Sequence, residues 1–162
     1  AELELSVRLE GVTISNGLCW SGDARRLYYI DTPRQRVDEL AFDATTGQLG
    51  ARRVALEIPP ALGAPDGMTI DAEDQLWIAL WGGGAVIRVD PVAGRITERM
   101  SIPATNVTSC AFGSASLDQL FVTTARVGRS DAELDREPLA GALFRVEVGA
   151  RGVASTRFAR DL

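Results

Sequence analysis

Three stretches of this sequence share one plan, and internal repetition restricts the possible folds more than any other property of the chain. Each stretch opens on a turn, runs into a short apolar strand, passes a small or acidic turn and enters a second strand. The first reads Ile14-Ser15-Asn16-Gly17-Leu18-Cys19-Trp20, then Arg26 to Asp31. The second reads Ala64-Pro65-Asp66-Gly67-Met68-Thr69-Ile70, then Gln75 to Leu80. The third reads Val107-Thr108-Ser109-Cys110-Ala111-Phe112, then Gln119 to Thr124. Leu27, Leu76 and Leu120 mark one column, at separations of 49 (27 to 76) and 44 (76 to 120) positions. Third strands follow at 35–43, 85–90 and 141–148, and fourth strands at 50–56, 96–102 and 153–158. Four short strands per unit of roughly 40–50 residues is the pattern of a β-propeller blade. The reading is therefore all-β, with blade-like repeats at about 11–57, 58–102 and 103–160 of one partial propeller spanning 1–162. The only helix expected is a short turn at 131–137. Three blades do not close a ring, since propellers have about 4–8. A half ring is expected to leave open sheet edges and an uncovered blade face.

The chain contains no histidine. That excludes Ser-His-Asp and Cys-His nucleophile schemes and imidazole metal ligation. Catalysis would have to run on carboxylates, amides, hydroxyls, arginine or a metal. A net charge of -5 and the lack of a basic run argue against a nucleic-acid partner. No apolar run approaches the ~18 residues of a membrane span, and no secretory pattern opens the chain. Cys19 and Cys110 fall on adjacent columns of equivalent strands, where side chains point to opposite faces, so two buried reduced thiols are expected. Reduced thiols suit a reducing compartment, and a cytoplasmic location is the expectation.

Propeller chemistry is expected in the central channel, at the turn before each innermost strand. Those turns carry Asn16, Asp66 and Thr108. Asn16 and Asp66 share a column, and each is followed by Gly. A carboxylate and an amide oxygen converging on an axis would suit a hard cation such as Ca²⁺, Mg²⁺ or Mn²⁺. Taken locally, Asn-Gly and Pro-Asp-Gly are also ordinary tight turns, and only the repeat narrows that alternative. Gly82-Gly83-Gly84 reads as a hairpin turn, since no Lys-Ser/Thr follows it. Trp20, Trp77 and Phe112 read as core, and Trp81 as the better candidate for a pocket mouth.

The motifs taken together resemble the senescence marker protein/gluconolactonase/regucalcin family. They are Ile14 to Ser21 with Tyr28-Tyr29-Ile30-Asp31, Pro65 to Asp71 with Leu76-Trp77-Ile78-Ala79, Val86 to Pro91, Thr108 to Gly113 and Pro138 to Phe144. They run in family order from about residue 11 onward. The resemblance implies a six-bladed β-propeller, of which this chain supplies about three C-terminal blades. It implies a divalent cation in the channel (Ca²⁺, Zn²⁺, Mg²⁺ or Mn²⁺), held by a glutamate and an asparagine from the N-terminal half and by Asn16 and Asp66 here. Asp66 is also the implied general base. The implied activity is hydrolysis of sugar lactones, with the cation as Lewis acid and Asp66 deprotonating water. The implied partners are a small sugar lactone and either the N-terminal propeller half or a second copy of this chain. The family glutamate favours the N-terminal half. A non-catalytic Ca²⁺-binding protein of regucalcin character and a propeller interaction scaffold are the rival readings.

Overall fold

The structure, a computed structural model, describes residues 5–155. Its strands form three antiparallel sheets, each laid down in chain order. The first holds β1 (Ser15–Trp20), β2 (Arg26–Asp31), β3 (Arg36–Asp43) and β4 (Gln48–Glu57). The second holds β5 (Ala64–Ile70), β6 (Leu76–Trp81), β7 (Ala85–Asp90) and β8 (Arg95–Ser101). The third holds β9 (Asn106–Gly113), β10 (Gln119–Ala125) and β11 (Leu143–Glu147). These are three blades of a β-propeller stacked face to face.

Alternation of side chains builds the stack. In β6, Leu76, Ile78 and Leu80 join one core with Cys19, Tyr28 and Ile30 of the first blade. Trp77 and Ala79, the residues between them, join a second core with Val107, Cys110, Leu120 and Val122 of the third. A strand buried on both faces has no polar side, which is why β6 reads as a continuous apolar run. The outermost strands β4 and β8 carry mostly exposed residues, among them Arg52, Arg53, Glu98 and Arg99.

Both cysteines are free and buried, one in each core. Burial pushes both thiols up to about 12, which makes them inert fillers. Gly82 to Gly84 form the β6–β7 turn, with Gly82 and Gly84 at positive φ.

Several expectations need correction. Residues 153–155 form no strand, and the rest of the anticipated fourth strand of the third unit lies outside the described residues. Gly152 instead bridges to Asp71 of the second blade. Trp20 is not core; it is 42% exposed and stacks edge-on against Phe42. Neighbouring blades meet by their faces, through the two cores.

The long connection between β10 and β11 carries α1 (Asp131–Leu134), opened by a Ser130–Glu133 capping box. Glu137 anchors this connection to the start of β9. It accepts hydrogen bonds from the Thr105 N–H (2.8 Å) and hydroxyl and from Arg129 (2.9 Å). The Thr105 bonds, with Arg129 beside them, hold the Glu137 carboxyl below its usual 4.5. The anchor is therefore complete above that ordinary value and is lost as pH falls through the lowered one. An NMR titration of the Thr105 amide should show a midpoint below 4.5, and Glu137→Gln should abolish it. A midpoint at or above 4.5 would remove the anchor from the account.

Candidate functional site

Each innermost strand carries one extra residue at the same place. Ser15 pairs with Asp31 and Leu18 with Tyr29, so β1 advances three residues while β2 moves two. Pro65 pairs with Leu80 and Met68 with Ile78, the same count in β5. In β9 the shift falls between Val107 and Ser109, around Thr108. A bulge leaves its residue outside the ladder and re-aims the side chain. The residues so displaced are Asn16-Gly17, Asp66-Gly67 and Thr108. All three lie near the start of their strands, so they sit at one end of the three blades.

The two glycines let the inner strands touch. A Cβ on Gly17 would sit 2.6 Å from the Asp66 carbonyl oxygen and 2.7 Å from Met68 Cβ. A Cβ on Gly67 would sit 2.3 Å from Ser109 Oγ and 2.7 Å from its Cα. Only a residue without a side chain permits that approach. The polar neighbours of the glycines are thereby drawn to one place.

Asn16 and Asp66 are half-buried side by side. Burial pushes the Asp66 carboxyl above its usual value, and hydrogen bonds from the Asn16 side chain and the Gly67 N–H offset only part of the shift. Asn16 Nδ2 also donates to Thr32 Oγ1 at 3.1 Å, and Thr32 Oγ1 donates to the Pro65 carbonyl at 2.9 Å. Thr32 thus fixes which way the Asn16 amide faces and ties the first blade to the second. On the third blade the Thr108 and Thr123 hydroxyls are 2.7 Å apart. Asp31 is buried and accepts from the Ile14 N–H (2.9 Å), the Thr13 N–H (3.3 Å) and Arg34 Nε (3.0 Å). Burial alone would raise its carboxyl, but these bonds prevail and hold it low. Asp31 therefore fixes the segment leading into Asn16.

Sequence reasoning did not single out Thr32, Ser109 or Thr123. Thr32 closes the first blade's second strand, and its role depends on a neighbouring blade that local sequence does not reveal. Trp81, half-exposed at the end of β6, lies at the same end of the blades as the polar group.

The donors are hard oxygens, which suit a divalent cation of the Ca²⁺ or Mg²⁺ type. They make only part of a shell. Among the described residues no three His, Cys, Asp or Glu side chains converge. The Asn16 amide and the incompletely compensated Asp66 carboxylate fit such an ion as one side of its site.

Regucalcin of Homo sapiens is 42% identical over 149 residues, 91% of this chain and 50% of the relative. A calcium-binding protein, regucalcin, of Agrobacterium tumefaciens superposes with a TM-score of 0.83 at 32% identity, covering 88% of this chain and 48% of that one. A gluconolactonase of Xanthomonas campestris gives a TM-score of 0.59 at 28% identity over 69% of this chain and 35% of that one. The chain spans about half the length of the relatives it matches. The family described as SMP-30/Gluconolactonase/LRE-like region matches residues 1–126. With its blades and motifs in that order, this chain belongs to the SMP-30/gluconolactonase/LRE-like family.

Proposed function

We propose that this chain supplies one side of a divalent-cation site that hydrolyses sugar lactones. The observation that carries the reading is the shared bulge column, which brings a half-buried carboxylate, Asp66, beside the Asn16 amide at one end of the inner strands. Asn16 and Asp66 would hold the cation, which would supply Lewis-acid polarisation of the lactone carbonyl. Asp66 takes a proton from the attacking water as oxygen bonds to the carbonyl carbon. The ring C–O bond then breaks, and the proton passes to the ring oxygen, leaving a hydroxy acid. A carboxylate that holds a cation is a weak base, but a lactone is an activated ester, so a weak base beside metal-acidified water would suffice. Thr32 positions the Asn16 amide, so that its nitrogen is engaged and its oxygen is presented.

The remaining donors come from outside this chain, across its uncovered faces. The family pattern assigns a glutamate and an asparagine to an N-terminal propeller half, and a second copy of this chain is the other source. Two buried thiols accord with a reducing, cytoplasmic setting. No helix among the described residues is long and apolar enough to cross a membrane.

A second reading, a Ca²⁺-binding protein without turnover, is favoured by the calcium-binding regucalcin of Agrobacterium tumefaciens. Hydrolysis of a sugar lactone by the assembled propeller, followed with and without EDTA, separates the two. The lactonase reading expects turnover that EDTA abolishes and Ca²⁺ or Mn²⁺ restores. Metal binding with no turnover above the uncatalysed rate supports the second reading instead. Turnover indifferent to EDTA removes the cation from the mechanism.

A further inference from the structure

We infer that Trp81 is the aromatic wall of the site, an indole face between Asp66 and Thr108 on which the sugar ring of the lactone lies. The inference rests on the reading above for the chemistry of the ring, and on the repeat columns for the position of the indole.

Thr32 shows what stands at this column. Leu27 and Leu76 share a column, so Thr32 and Trp81, each five residues further on, share one too. The ladders agree. The Thr32 N–H donates to the Ile14 carbonyl at 3.2 Å, and Trp81 pairs with Ala64; Ile14 and Ala64 each stand two residues before a bulge residue, Asn16 or Asp66. Thr32 Oγ1 lies between the bulge of its own blade and the inner strand of the next, 3.1 Å from Asn16 Nδ2 and 2.9 Å from the Pro65 carbonyl oxygen. Moved one blade on, the same relations put Trp81 between Asp66 and Val107, the residue before Thr108. Alternation along β6 agrees, because Trp77 and Ala79 face the third blade and Trp81 follows at the same period.

The chemistry at the column differs between the two blades. Threonine is small enough to clamp two blades through its hydroxyl, and an indole is not. The first five residues of β6 are buried, and Trp81, the last, is partly exposed although the second blade is packed on both faces. The turn that follows is Gly82-Gly83-Gly84, and a Cβ on Gly82 would meet nothing within 4 Å, so the space beside the ring is open. The other two tryptophans are committed elsewhere. Trp77 donates its N–H to Asp71 at 2.9 Å and meets Phe112 edge to face, and Trp20 lies edge-on to Phe42 on the first blade. Trp81 thus presents apolar surface beside a carboxylate and a hydroxyl. A sugar ring matches that contrast. Its hydroxyls reach the polar groups, while its C–H groups, which carry partial positive charge, lie against the electron-rich face of the indole.

Titrating the assembled propeller in Ca²⁺ with methyl β-D-glucopyranoside, a sugar ring with no lactone to hydrolyse, should shift its tryptophan emission. The shift should persist in Trp20→Phe and vanish in Trp81→Leu. Tb³⁺ alone, excited through tryptophan, should luminesce in the parental protein and lose most of that signal in Trp81→Leu, while directly excited Tb³⁺ still saturates. In lactone turnover Trp81→Leu should raise KM by about 3- to 10-fold, more than it lowers kcat, and Trp81→Tyr, which keeps a ring, should recover most of the loss. A glucoside shift that survives in Trp81→Leu overturns the inference, as does a parental protein without one. Sensitised Tb³⁺ emission that is absent from the parental protein, or undiminished in Trp81→Leu, overturns the placement beside Asp66. The expected glucoside shift without lactone turnover overturns the lactonase reading and leaves the aromatic wall standing. Turnover with an unchanged KM in Trp81→Leu overturns the wall and leaves the lactonase reading standing.

Discussion

Asp66→Asn in the assembled propeller should lower kcat for a sugar lactone by about 10²- to 10⁴-fold, the usual contribution of a positioned general base. The substitution removes the proton acceptor and a negative oxygen ligand together, yet it keeps the shape that fits between Asn16 and Gly67. The fold should not suffer. Burial raises the Asp66 carboxyl above its ordinary value. A group raised in this way contributes stability while protonated, and that contribution is lost as pH rises through its folded pKa. Ionised Asp66 is therefore a cost at neutral pH in the absence of a cation, and the amide does not carry it. The expected result is a thermal midpoint equal to or above the parental one in EDTA, beside a collapse in kcat. Near-parental kcat at saturating metal would show that Asp66 is not the base.

Gly67→Ala should cause a large loss of stability. The added carbon meets Ser109 at its Oγ, Cβ and Cα, so rotation of the serine side chain gives no escape. The two inner strands must separate, which opens the second core where Cys110 and Trp77 meet. Overpacking of this kind costs roughly 1–3 kcal/mol or more, against a total of about 5–15 kcal/mol for a typical domain. A drop in thermal midpoint of about 2–4 °C per kcal/mol follows for a chain of this size. Gly149→Ala is the control, because nothing lies within 4 Å of the added carbon. Equal midpoints for the two variants would mean that the inner strands do not rely on this contact. Because Gly67 adjoins Asp66, the variant should also lose activity in proportion to the displacement.

The parts of the fold that sequence made legible are those written in one strand. Leu27, Leu76 and Leu120 carried the repeat, and the alternation in β6 carried burial on both faces. Strand pairing carries the rest. A bulge is a difference in count between two strands, so Asn16-Gly17 and Asp66-Gly67 look like plain turns until Leu18 and Met68 are seen opposite Tyr29 and Ile78. Trp20 looked like core because its column is core in the other two blades, Ile70 and Phe112. Its exposure follows from having no blade stacked on that face among the described residues, a property of the neighbour and not of the residue. In the third unit Gly152 bridges to Asp71 of the preceding blade, and residues 156–158 of the expected final strand lie outside the described residues. At the candidate site, the column of Asn16 and Asp66 was legible, but Thr32 was not, since its hydroxyl acts across two blades.

The inner-strand bulge also bears on how such a scaffold diversifies. Its residue sits outside the hydrogen-bonded ladder, between a glycine or small neighbour that sets the packing and a strand that sets the register. Three blades already place an amide, a carboxylate and a hydroxyl there on the same backbone plan. A duplicated blade thus arrives with one position that inheritance can rewrite while the architecture stays intact. Six such positions around an axis amount to a small combinatorial alphabet, in which new chemistry is a matter of spelling and not of new folds.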